Sequence, residues 1–203
     1  MKLKVFEIGR SVIHILAGTL IILLSIKFRP FISWILLAAL IVGILLSILS
    51  LKFKIPLIYQ LLKTFEKPKY MKIFPGKGVL FFVAGCLLVL KIFSQQFNIA
   101  IAAIAILTFG DSISHIVGIS IGKINHKSPF SEFKKVEGTL FGILAAFIAA
   151  SFFVKPVYAL IASAIAMFAE ALTLRLGGDN VDDNMVIPII GGTIIYLLTL
   201  FIG

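Results

Sequence analysis

Residues 110–139 read GDSISHIVGISIGKINHKSPFSEFKKVEGT, and the aspartate near their start decides the fold. They follow residues 98–109, a run that is apolar except for Asn98 and Thr108. A carboxylate thus stands where a membrane helix should still be in lipid. On a helix, Asp111, Ser114, His115, Gly118 and Gly122 share one face, because they fall at steps of three and four residues. An ionisable residue inside a span is costly, so it faces a bundle interior or an aqueous cavity. Gly118 with Gly122, and Gly138 with Gly142, are GxxxG pairs, a spacing that lets helices approach closely.

Composition agrees. The chain has 203 residues, 60% of them hydrophobic, and a mean hydropathy of +1.13. A soluble domain of this size needs far more polar surface. The reading is an all-α, polytopic transmembrane helical bundle forming one domain over residues 1–203. Seven apolar segments, 11–28, 31–51, 78–93, 98–121, 138–154, 157–174 and 185–203, lie near the ~20 residues that a span needs. The third and fifth are short, so they tilt less or recruit flanking residues.

The formal net charge is +10, from 19 Lys and Arg against 9 Asp and Glu. The basic residues sit at the ends of apolar runs, which points to topology and anionic headgroups and not to nucleic acid. A cytoplasmic N-terminus puts 15 of the 19 on the inside and leaves Lys27, Arg29, Lys91 and Lys155 outside. All nine acids fall toward the cytoplasmic half, so a site should open there. The lone Cys86 forms no internal disulfide or zinc site. In the basic loop 52–77, with Pro56, Pro68 and Pro75, residues 63–67 read as a short interfacial helix. Residues 176–184, LGGDNVDDN, gather Asp179, Asp182, Asp183 and Asn184, oxygen donors that suit Mg²⁺ or a turn ending in an N-cap at Asn184. Pro188 falls in the first turns of the last span, and Gly191 and Gly192 are expected to break or thin it.

At the inner ends the acids Asp111, Glu137, Glu170 and Asp183 stand with the cations Lys134, Lys123 and Arg10. Carboxylates, a lysine and small residues suit a magnesium-bound polyphosphate. The topology favours a reaction between a soluble nucleotide and a lipid head group.

The same residues resemble a family. Gly110-Asp111, Ser114, Gly118 and Gly122, followed by Lys134-Lys135-Val136-Glu137-Gly138-Thr139, look like the GD and K-[ST]-x-E-G-[ST] motifs of the polyprenol kinases, the dolichol, phytol and CTP-dependent diacylglycerol kinase group. Glu170, Asp183-Asn184 and Pro188 resemble the group's later acid and its DN-x-x-x-P element. Glu7, Arg10 and His14 are similar to its E-x-x-R-K-x-x-H start. Ser11, Ser114 and Lys135 stand where lysine, alanine and a hydroxyl residue are common. The resemblance implies transfer of the terminal phosphate of a nucleotide, usually CTP, to a lipid alcohol with Mg²⁺. It makes Asp111, Lys134, Glu137 and Glu170 catalytic and Asp111, Glu137 and Asp183 metal ligands. Gly110, Ser114, Gly118, Gly122, Lys123, Gly138, Thr139, Asn184, Arg10 and His14 would hold nucleotide or phosphate. Two other readings stand beside it, a cytidylyltransferase making a CDP-activated lipid and an ion-coupled transporter. The lipid bilayer is the remaining partner, and the GxxxG faces permit a homodimer.

Overall fold

The computed structural model describes residues 2–53, 74–127, 130–131, 134–172, 175–176 and 179–202. The interfacial helix expected over 63–67, with Pro56, Pro68, Gly177 and Gly178, lies outside them. Among the described residues seven helices form: α1 Lys2–Lys27, α2 Ile32–Lys52, α3 Lys77–Ile92, α4 Phe97–Ile121, α5 Val136–Ala150, α6 Pro156–Ala171 and α7 Asp183–Phe201. A two-residue antiparallel ladder pairs Arg175–Leu176 with Asp179–Asn180. Helix ends follow local chemistry. Pro30 stands in the turn after α1. Gly76, at φ 80°, adopts the left-handed backbone that leads into α3. Pro156 opens α6, where its missing N–H costs nothing.

Consecutive helices alternate in direction, and α4 is the axis of the bundle. It packs against α1, α3, α5, α6 and α7. Its apolar stretch is 72% buried, against 17% for α2, which rests chiefly on α3. Residues 99–107 of α4 are buried all round, which explains their lack of a polar face. Outward side chains such as Leu16, Leu23, Trp34, Ile48, Leu144 and Phe152 are exposed and apolar, the reverse of a soluble surface. Four helices, α1, α2, α4 and α7, are long and apolar enough to cross a membrane. These features make it a membrane-associated helical protein. Helices α5 and α6, with 15 and 16 residues, are shorter.

Two local features position the site. Residues Ile106–Asp111 form a π-helical turn within α4, ending on the aspartate. Such a turn inserts an extra residue and rotates the side chains C-terminal to it, and it recurs at functional sites. In α7, Pro188 has no N–H, so the Asn184 carbonyl loses its usual helical donor. Gly85 of α3 lies against that carbonyl: a Cβ there would stand 2.1 Å from the Asn184 oxygen. Gly191 and Gly192, expected to break or thin the last span, thin it without breaking it. The helix runs on through both, and they make room for Ile106 and Phe93.

The Gly85 contact holds α3 on the first turn of α7. Gly85→Ala should therefore destabilise the protein by about 1–3 kcal/mol through overpacking. Gly9→Ala, where a Cβ meets nothing within 4 Å, should be neutral or stabilising. Thermal unfolding of both purified variants in detergent checks the pair; equal midpoints would remove the Gly85 contact as a determinant.

Candidate functional site

The site is assembled by hydrogen-bond needs at the ends of two helices. The last carbonyls of a helix have no partner within it. At the end of α6, the backbone N–H of Ser131 donates to the Ala171 carbonyl at 2.8 Å. The Lys134 ammonium donates to the Glu170 carbonyl at 2.5 Å. The loop between α4 and α5 is thus drawn across the end of α6. It returns on itself through His126 N–H to the Lys134 carbonyl, 3.2 Å, and Val136 N–H to the Ile124 carbonyl, 3.0 Å.

Lys134 then reaches two carboxylates. Its Nζ lies 2.6 Å from Glu170 Oε1 and 2.9 Å from Asp183 Oδ2. Asp111 completes the group: one oxygen from each of Asp111, Glu170 and Asp183 lies within 4.8 Å of the other two. Glu170 is only 4% exposed, and its Oε2 is buried without a hydrogen-bond partner among the described residues. Burial disfavours the Lys134 ammonium, but the charges of Glu170 and then Asp183 outweigh it and hold its pKa above the usual lysine value. Three carboxylates facing one ammonium leave an excess of negative charge. Hard oxygen donors with an orphaned carboxylate oxygen fit a divalent cation such as Mg²⁺, held by Asp111, Glu170 and Asp183.

Glu137, expected as both catalytic group and metal ligand, is not in this cluster. Its carboxylate accepts the backbone N–H groups of Lys123, at 2.9 Å, and Ile124, at 3.1 Å. It sits in the first turn of α5 and fixes the loop. Lys123 contributes that backbone group and has an exposed side chain. Lys134 and Lys135 go to different places. Helix α5 begins only at Val136, so Lys134 does not share a helical face with Gly138. Lys135 is extended backbone; its stem covers Gly118 and Gly122, and its Nζ donates to Asn125 Oδ1.

The glycines make a helix contact in place of the phosphate cradle expected of them. A Cβ on Gly138 would lie 2.5 Å from the Ser114 carbonyl oxygen, and one on Gly110 2.7 Å from Met167 Sδ. A Cβ on Gly122 would strike the Gly118 carbonyl and the Lys135 stem. Ser114 lies against Gly142. These faces are occupied within one chain, so they are not the surface of a homodimer. Thr139 is buried and pairs with His126 Nε2 at 2.9 Å. The expected shared face of α4 also divides between neighbours: Ser114 and Gly118 meet α5, whereas His115 turns to α1. There Ser11 Oγ lies 3.1 Å from His115 Nδ1, and Glu7 pairs with Arg10 at 3.2 Å and His115 at 3.7 Å. Arg10 is thus engaged by Glu7. His14 meets the Phe82 ring at a tilt, centroids 4.1 Å apart, its Nε2 buried and unbonded among the described residues, within electrostatic reach of Asp111.

Two residues take roles that the sequence did not assign to them. Asp182, not Asn184, is the N-cap of α7; its Oδ1 accepts the Asn184 N–H at 3.1 Å and Asn184 Nδ2 at 2.8 Å. Only Asp183 of the acidic stretch therefore joins the cluster, while the Asp179 side chain lies outside the described residues. His126 sits next to the site, and burial and then the Lys134 charge hold its imidazole below the usual pKa. Only its place in the basic loop pointed to it.

Removing the Lys134 charge leaves the buried Glu170 carboxylate and the partly exposed Asp183 carboxylate uncompensated. Lys134→Met should cost up to about 3 kcal/mol, less than a fully buried pair because the ammonium is partly exposed. Lys135→Met should change stability by well under 1 kcal/mol. Unfolding midpoints in detergent with EDTA decide this, and equal midpoints would make Lys134 a plain surface anchor.

No family model matches the chain, and no solved structure matches it significantly. It is similar to the uncharacterized protein MJ1137 of Methanocaldococcus jannaschii, at 30% identity over 192 residues. The match covers 93% of this chain and 92% of the relative. By that near full-length correspondence, the chain belongs to the same family as this archaeal protein.

Proposed function

We propose that this protein is a membrane lipid-alcohol kinase, transferring the terminal phosphate of a nucleotide, with CTP as the first candidate donor, to a polyprenol, phytol-like alcohol or diacyl or dialkyl glycerol. The observation that carries the reading is the cluster of Asp111, Glu170 and Asp183 around Lys134 at one end of an apolar helical bundle. The likeness of residues 110–139 to the polyprenol kinase motifs supplies the chemistry. A divalent cation held by the three carboxylates would neutralise charge on the phosphates. Lys134 is placed to meet the transferring phosphoryl group, once phosphate competes with the carboxylates for its ammonium. Glu170, buried and with one free oxygen, is the candidate to accept the proton of the lipid hydroxyl, and Asp111 is the alternative. The apolar exterior beside the cluster lets a lipid reach it from the bilayer.

In the same reading all seven helices span, the N-terminus is cytoplasmic, and the cluster opens to the cytoplasm. The support is the charge pattern of the sequence, in which 15 of the 19 basic residues fall in the segments assigned to the inside. Cys86 is buried, so a single added cysteine can report sidedness. Lys127→Cys should react with an impermeant maleimide in inverted vesicles and not in intact cells; the opposite pattern reverses the topology.

The activity test supplies γ-labelled CTP or ATP with a panel of these lipid alcohols and asks which acquires label. Release of pyrophosphate in place of nucleoside diphosphate would identify a cytidylyltransferase. Substrate-driven ion flux without labelled lipid would identify a transporter. Asp111→Asn should lower turnover by about 10²–10³ while leaving the fold intact. EDTA should abolish turnover and excess Mg²⁺ restore it. Lys134→Met should be nearly inactive and Lys135→Thr active. Glu137→Gln, which keeps an acceptor oxygen for the loop N–H groups, should retain most activity; loss equal to that of Asp111→Asn would put Glu137 back in the chemistry.

A further inference from the structure

The end of the bundle opposite the acids holds a cleft of about 520 Å³. Its walls carry Arg29 from the α1–α2 turn, Gln95, Gln96 and Asn98 at the start of α4, and Lys155 before α6. Arg29 lies over the Phe97 ring at 4.4 Å and Lys155 over Tyr158 at 5.2 Å. Among the described residues no carboxylate lines the cleft or pairs with either cation. The first turns of α4 and α6 both open beside it, and neither has a side-chain cap. Their positive dipole ends add to the two cations.

We infer that this cleft binds a phosphate group. Two cations on separate walls, side-chain amides and uncapped helix starts together exceed what one carboxylate ligand would use, and they match the several oxygens of a phosphate. The other two basic residues at this end, Lys27 and Lys91, also lie over rings, those of Phe28 and Trp34, but do not line the cleft. A second groove of about 370 Å³ shares Arg29 and Phe97 and continues along Ile32 and Leu90. Cations and amides set among apolar walls such as Ile99, Phe153, Ile32 and Leu90 suit a phosphate carried on a lipid chain. Free phosphate would use the cleft alone. This site lies at the far end from the carboxylate cluster and does not depend on the kinase reading.

The test uses the full chain in detergent with EDTA, so that the carboxylate cluster holds no cation. Dioctanoyl phosphatidic acid is titrated, and bound lipid is counted by native mass spectrometry. The expected result is one lipid per chain, with affinity about tenfold lower for Arg29→Gln/Lys155→Gln, from the loss of charge-assisted contacts. Lys27→Gln/Lys91→Gln should bind as the unaltered protein does. All four side chains are on the surface, and gel filtration verifies that each variant is folded. Displacement of the lipid by millimolar inorganic phosphate would keep the site and assign it to free phosphate; no displacement assigns it to a lipid phosphate. Equal weakening in the two double variants, or no binding, would overturn the inference.

Discussion

The Lys134 ammonium, between the carboxylates of Glu170 and Asp183, is the interaction on which the rest of the site depends. Three carboxylates in an apolar bundle repel each other and lose hydration. A cation among them, or a proton on one of them, relieves that repulsion, and Lys134 supplies a cation. Lys134 comes from a loop, so that loop has to be docked. The free carbonyls at the end of α6 supply the docking points, through Ser131 N–H and Lys134 itself. Glu137 sets the other end of the loop by gathering the N–H groups of Lys123 and Ile124. One charge requirement thus explains the path of the whole connection between α4 and α5.

Backbone proximity is the second constraint. Helix α4 reaches α5 through Gly110, Ser114 and Gly118 against Gly138 and Gly142. Without a hydrophobic force between helices in lipid, such small-residue contacts drive packing. This contact, with the π turn ending at Asp111, fixes the depth at which the aspartate meets Glu170 and Asp183. On the other side Gly85 seats α3 on the carbonyl that Pro188 leaves free, just after Asp183. The acids are held by close backbone contacts on both flanks, and a metal or phosphate site needs that kind of preorganisation.

The charge distribution divides the molecule. Carboxylates gather at one end of the bundle, and the cleft at the other end is lined by Arg29 and Lys155 without a described acid. In the proposed kinase reading the acids would hold the metal of polyphosphate chemistry. The cationic cleft proposed at the far end would serve a different contact.

Much of the fold is legible in the sequence alone. The apolar runs 31–51, 78–93 and 98–121 are the helices Ile32–Lys52, Lys77–Ile92 and Phe97–Ile121 almost residue for residue, because run length and composition are local properties. Asp111, Glu170 and Asp183 were legible as a group for a similar reason: an acid within or at the edge of an apolar run has few places to go. Tertiary structure decided the partners. Glu137 and Glu170 look alike in sequence, yet one holds a loop and the other is buried beside Asp111. The glycines fit a phosphate cradle and a helix contact equally well by spacing, and only the approach of α5 selects the contact. Asp182 and Asn184 are both good N-caps, and the backbone at Asp182 makes it the cap. Sequence periodicity fixes which residues share a helix face; which neighbour that face meets is a long-range choice, made by packing and by where buried charge finds its counter-charge.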